Sequence, residues 1–234
     1  MINNIQVEIC IGNIDDALLA DKYPIDRIEL NSALELGGCS PSLETLRYLK
    51  EKIGKQICCM VRPRGGDFFY SESEYLTMLK DAENFLQAGA DGIVFGFLRP
   101  DFTVDSERTQ KMTELIHSYH AQAVFHKAFD ETKDLDEAAN ALIGCGIDRV
   151  LTSGAAVYPD ILGGCKNIHR LFENYGDRLQ FLPGGGVRVE NIRDVILTAG
   201  SGQVHMTAKK MNEGGYLCLD EEQLQAMLKQ IASL

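Results

Sequence analysis

The sequence predicts one α/β domain, a TIM-type (β/α)8 barrel spanning residues 1–234. Three observations predict it. Apolar runs of strand length alternate with amphipathic helical stretches along the whole chain. The links from helix to next strand are short and carry glycine. Run after run ends on a charged or hydrogen-bonding side chain, which gathers polar groups at one rim. A barrel of this kind takes roughly 250 residues. A doubly wound open sheet is the alternative, but no Gly-x-Gly-x-x-Gly follows the first strand, so a dinucleotide-binding version lacks its phosphate turn.

The elements follow in order. Strands are expected near 5–10, 26–31, 57–62, 91–96, 122–127, 148–152, 179–183 and 203–207. Helices are expected near 13–22, 42–53, 72–88, 105–120, 134–144, 158–175, 188–199 and 220–232. Ser40 before Pro41 reads as a cap with proline at the first helical position. Ser71 with Glu74 reads as a capping box, and Asp134 with Glu137 as its aspartate analogue. A weak repeat supports the unit: Ala88-Gly89-Ala90-Asp91, Cys145-Gly146-Ile147-Asp148 and Ala199-Gly200-Ser201-Gly202 each precede a strand. The apolar share of 45% suffices for a core.

A formal charge of −11, with no clustered basic stretch, argues against nucleic acid as a partner. No run approaches the length of a membrane span. Met1-Ile2-Asn3-Asn4 does not begin a secretory leader, and seven cysteines without short paired spacing suit a reducing compartment. The expected location is therefore the cytoplasm.

Side chains alternate in a strand, so one face of each points into the barrel. Ile28 and Leu30 suit the helix side, which leaves Glu29 and Asn31 inside. By the same parity Glu8, Cys10, Cys58, Met60, Arg62, His126 and His205 face inward. Arg64, Asp67, Asp130, Thr152 and Ser153 are expected around the mouth. Histidine beside a carboxylate can move protons near neutral pH, so Glu29, Asp67, His126 and His205 are candidate catalytic residues. Arg62 and Arg64 can grip a carboxylate or phosphate with two parallel hydrogen bonds. With Glu8, Asp130, Thr152 and Ser153 they form a candidate binding set. The turns at Thr152-Ser153-Gly154 and Gly184-Gly185-Gly186 offer bare backbone to an anion, since barrel phosphate sites use the last loops. A bland reading stands beside each. Glu8, Glu29 and Arg62 also suit a buried ion-pair layer, and three glycines also make a tight turn.

Metal ligation is read from the cysteines. Cys58 and Cys59 point oppositely and cannot chelate one ion together, whereas Cys10, Cys58 and Met60 share the interior and suit Cu(I). Cysteine also packs as a small hydrophobe. Cys145, Cys165 and Cys218 have no partner pattern. Lys127 stands next to the inward His126, which turns it away from a Schiff-base position.

Several of these segments resemble the CutC family of copper homeostasis proteins. They are Arg27-Ile28-Glu29-Leu30, Gly37-Gly38, Pro41-Ser42 and Val61-Arg62-Pro63-Arg64-Gly65-Gly66-Asp67-Phe68. They continue with Phe125-His126-Lys127-Ala128-Phe129-Asp130, Leu151-Thr152-Ser153-Gly154, Gly184-Gly185-Gly186 and Asn191. The resemblance covers most of the chain. It implies a (β/α)8 barrel, a cytoplasmic homo-oligomer and a role in copper handling. It further implies Cu(I) held by two cysteines, one in the first strand and one closing the second. Cys10 matches the first position; the second is Asn31, with Cys39 or Cys58 as nearby substitutes. Lys127 and Pro183 depart from the usual residues. Two functions stay open: binding or trafficking of Cu(I), and an enzyme acting on a small anionic or phosphorylated metabolite. A structural or regulatory partner protein is a third reading.

Overall fold

The computed structural model describes residues 1–234. Eight parallel strands form one sheet: β1 Gln6–Ile11, β2 Arg27–Leu30, β3 Gln56–Met60, β4 Gly92–Phe95, β5 Gln122–Phe125, β6 Arg149–Thr152, β7 Gln180–Pro183 and β8 Gln203–Met206. Each is followed by a helix: α1 Ile14–Ala20, α2 Leu43–Lys52, α3 Glu72–Gln87, α4 Ser106–Ser118, α5 Leu135–Gly144, α6 Ile161–Tyr175, α7 Ile192–Ala199 and α8 Glu221–Ala232. Hydrogen bonding runs in the order β7-β6-β5-β4-β3-β2-β1-β8, so the sheet curls into a nearly closed barrel. At the seam the Gln203 side-chain amide donates to the Phe181 carbonyl at 3.2 Å, bridging β8 to β7. The (β/α)8 expectation is thereby met.

Local chemistry explains the helix starts. Ser71 and Glu74 make the expected capping box on α3. Asp134 accepts from the amides of Asp136 and Glu137 at the start of α5. One cap is corrected: Ser42, not Ser40, caps α2, accepting from the Thr45 amide. Ser40 instead accepts from the Arg62 amide at 2.9 Å and ties the β2–α2 loop to the end of β3. The helices after β6 and β7 begin later than periodicity suggests, at Ile161 and Ile192, because their strands are followed by long turns. An antiparallel hairpin, β9 Lys209–Met211 with β10 Leu217–Leu219, follows β8 and was not expected. Single-turn 3-10 segments at Leu34–Leu36 and Lys127–Glu131 fold loop residues over the mouth. No helix is long and apolar enough to cross a membrane.

The apolar core is divided unequally. A continuous cluster lies between sheet and helices and includes Ile9, Ile28, Cys59, Phe95, Phe125 and Phe181. The barrel interior holds a small apolar cluster, Cys58, Met60, Val94 and Val124, with Leu151 and Leu182 on the same inward face of β6 and β7. Among its inward positions are also the polar residues Glu8, Arg27, Glu29, Arg62, His126, Arg149 and His205, all buried. Such groups stay inside only when paired or used, since an unpaired buried charge costs several kcal/mol or more. Arg27 and Arg149 lie deepest. Arg27 pairs with Glu8, and Arg149 donates to the Gln122 side chain at 2.9 Å.

Candidate functional site at the barrel mouth

Register places the site. β1 and β2 pair with Glu8 opposite Arg27 and Cys10 opposite Glu29, while β1 and β8 pair with Glu8 opposite His205. Three neighbouring strands therefore set Cys10, Glu29 and His205 side by side. Their ligand atoms all lie within 4.8 Å of one another. They form the floor of a pocket of about 280 Å³ at the carboxyl ends of the strands, the low end of small-molecule sites.

A relay of buried charge orients this floor. Arg27 Nε donates to Glu8. His205 Nδ1 lies 2.7 Å from the other Glu8 oxygen, so Nε2 turns toward Glu29 Oε2 at 4.0 Å. Burial alone would raise Glu8, but Arg27 and the His205 hydrogen bond outweigh it and hold the carboxyl far below its usual range. Burial pulls His205 down, yet the charges of Glu29 and Glu8 win and raise it. Burial, reinforced by Glu29, pushes the Cys10 thiol well up, so it is neutral when no cation is near. Asn31 completes the floor, donating to Glu29 Oε2 at 2.9 Å and to Cys10 Sγ at 3.4 Å. Glu29 Oε1 is buried without a partner.

The donor set fits a metal ion. Thiolate and imidazole suit soft and borderline cations, and the carboxylate adds charge. A carboxylate bound to the far nitrogen of a histidine is the arrangement that fixes a metal-binding imidazole.

The walls partly depart from expectation. His126 lines the pocket; its Nδ1 accepts from the Ala128 amide at 3.1 Å, which leaves the proton on Nε2, and Nε2 has no partner. Burial, with the Arg62 charge, lowers this histidine to about 3, so it is neutral. Arg62 also lines the pocket, with its Nε buried and unpartnered, but its two Nη groups are committed to structure. Nη1 donates to the carbonyls of Leu36 and Gly38, both at 3.0 Å, and Nη2 to that of Gly66 at 2.8 Å. The fork that the sequence suggested for an anion clamps two loops instead.

Arg64 and Asp67 stand outside the pocket, a correction to the expected rim. Arg64 turns back to Glu74 on α3 at 2.6 Å and to Asp67 at 3.1 Å. Asp130, Thr152 and Ser153 form a separate knot, in which both hydroxyls and the amides of Ser153 and Ala155 donate to Asp130. Gly184 packs where a Cβ would lie 2.6 Å from Leu151 and 3.0 Å from His205, so it serves closure of the barrel. Gly185 does reach the pocket. Cys39 and Cys58 are not in the cysteine, glutamate and histidine group.

Sequence reasoning missed Lys127, Arg188 and Lys209, which line the mouth. Strand parity turned Lys127 away, but β5 ends at Phe125 and the 3-10 turn brings it back over Gly185. Arg27 was missed although it shares the inward parity of Glu29.

Fold and floor define a (β/α)8 barrel with a pocket at the carboxyl ends of its strands, floored by a cysteine, glutamate and histidine group with metal-ligand spacing. The chain belongs to the CutC family, whose pattern matches residues 5–210. It is 43% identical over 210 residues to a CutC family protein of Treponema denticola, covering 90% of this chain and 84% of that one. It is 34% identical over 213 residues to the human copper homeostasis protein cutC homolog, covering 91% and 77%. A CutC crystal structure from Streptococcus agalactiae superposes with a TM-score of 0.79 at 31% identity, covering 86% of this chain and 97% of that one. Phosphoribosyl anthranilate isomerase from Thermotoga maritima has a TM-score of 0.63 at 16% identity, covering 98% and 100%; that likeness concerns the fold alone.

Proposed function

We propose that this CutC family member serves copper homeostasis by binding one Cu(I) ion at the pocket floor, with Cys10 Sγ and His205 Nε2 as its ligands and Glu29 beside them. The observation that carries the reading is the convergence of these three ligand atoms within 4.8 Å of one another. Glu8 supports it by occupying His205 Nδ1, which reserves Nε2 for the ion. A cation there would displace the proton that Glu29 and Glu8 hold on His205 and favour the Cys10 thiolate that burial and Glu29 oppose in its absence. Asn31 stands where the family resemblance implies a second cysteine. Its amide donates toward Cys10 sulfur, which supports a thiolate without ligating the ion. The site is thus a mixed sulfur and nitrogen site rather than a two-sulfur one.

The test is an anaerobic titration of reduced protein with Cu(I) against a colorimetric chelator. One-to-one competition is expected for the native chain, loss for Cys10→Ser, and at least tenfold weakening for His205→Ala. His126→Gln should bind as the native chain does. Failure to compete, or binding that survives Cys10→Ser, would refute the assignment.

A further inference from the structure

The mouth of the pocket has a chemistry that a copper floor does not use. The chain carries 34 acidic and 23 basic side chains, yet the pocket lining reverses that balance, with four basic residues and one carboxylate, Glu29. The Nη groups of Arg62 hold the loops described above. The other three sit at the mouth with little to hold. Lys209 and Arg188 form no ion pair; Arg188 donates only to the Val187 carbonyl and the Tyr158 hydroxyl. Lys127 reaches Asp130 only at 3.8 Å, and that carboxylate already accepts from Thr152, Ser153 and Ala155.

The turn after β7 supplies a second, independent observation. The backbone N–H groups of Gly185, Gly186 and Val187 donate to no acceptor in the protein, although Gly184 before them and Arg188 after them are both satisfied. All three residues line the pocket, and Gly186 and Val187 are buried. Unpaired buried amides are rare in folded chains. Here they are consecutive and held in place, because Asn191 accepts from the Arg188 amide at 2.8 Å and donates to the Gly186 carbonyl at 2.9 Å. The turn requires glycine: Gly185 and Gly186 have φ of +94° and +96°, and a Cβ on Gly186 would lie 2.4 Å from the Pro159 carbonyl oxygen. A Cβ on Gly185 would stand 2.8 Å from Lys127 Nζ, so the ammonium group lies against the bare turn.

We propose that the Gly185-Gly186-Val187 turn, with Lys127, Lys209 and Arg188, is a phosphate cradle for a phosphorylated small molecule. Successive free amides and convergent cations are what a tetrahedral dianion needs, since its oxygens accept several hydrogen bonds at once. Loops after the last strands are also where barrels of this kind bind phosphate. The organic part of the ligand would extend down the pocket, past the unpaired His126 Nε2–H on the wall. The volume of about 280 Å³ suits a small metabolite. This inference does not depend on the copper reading, because the cradle is complete without the floor.

The experiment is calorimetric titration of metal-free protein with inorganic phosphate, at constant ionic strength set by chloride. Saturable one-to-one binding is expected. It should weaken at least tenfold in a Lys127→Gln/Lys209→Gln variant and stay unchanged in Lys210→Gln, since Lys210 faces Asp220 on the hairpin. Absence of saturable binding would overturn the proposal. So would equal weakening in Lys210→Gln, which would mark a general charge effect. Using metal-free protein and phosphate separates this outcome from success or failure of the copper titration.

Discussion

His205 Nδ1 lies 2.7 Å from Glu8, and the second oxygen of the same carboxylate takes Arg27. One buried carboxylate thus joins the base of the barrel to the site above it. Fold stability and ligand geometry pass through Glu8 together.

Glu8→Gln should therefore have two effects. It leaves the Arg27 guanidinium buried without its charge partner, which costs about 3–5 kcal/mol, to be read by denaturant unfolding. It also weakens Cu(I) binding ~10–100-fold by loosening His205. Unchanged stability together with unchanged affinity would contradict the relay.

Asn31→Cys should tighten Cu(I) binding. Position 31 closes β2 beside Cys10, and its side chain already contacts the Cys10 sulfur at 3.4 Å. A thiolate there would convert a one-sulfur site into a two-sulfur one, which soft Cu(I) prefers. Competition titration should show at least tenfold tighter binding; equal or weaker binding would mean that the ion does not lie between β1 and β2.

His126 gives the fold an acid limit. Its folded pKa is lowered from 6.5 to about 3 by burial and the Arg62 charge. The unfolded chain takes up this proton first, so stability is full above the unfolded value and is lost as pH falls from 6.5 toward 3. The slope approaches ~1.4 kcal/mol per pH unit from this group. In His126→Gln the contribution disappears, and the difference between the two unfolding free energies should depend on pH across that window. Parallel curves would show that the ring is not buried in neutral form.

Arg62→Lys should loosen the loops rather than abolish anion binding. A lysine cannot hold the carbonyls of Leu36, Gly38 and Gly66 at once, and each lost charge-assisted bond is worth about 1.5–3 kcal/mol. Hydrogen exchange should accelerate at residues 33–39, while phosphate affinity at the β7 turn changes little. Unaltered exchange would refute the clamp.

The fold was legible because the strand–helix alternation is repeated eight times and the inward parity of β1, β2, β5 and β8 is unambiguous. The floor followed from it: Glu8, Cys10, Glu29 and His205 were each expected to face inward. Rim residues were less legible because loops do not keep strand parity. Arg64 has the right chemistry but points to Glu74, and Lys127 returns to the mouth only through the 3-10 turn that follows β5. Lys209 needed the hairpin, whose three-residue strands give almost no period to read. Arg27 could have been found from the parity of Glu29.

Copper-edge X-ray absorption on protein loaded anaerobically with one equivalent of Cu(I) tests the central claim most directly. The account predicts one sulfur scatterer together with an imidazole signature, the latter lost in His205→Ala. Two or more sulfurs without imidazole, or an imidazole signature that persists in His205→Ala, would contradict it.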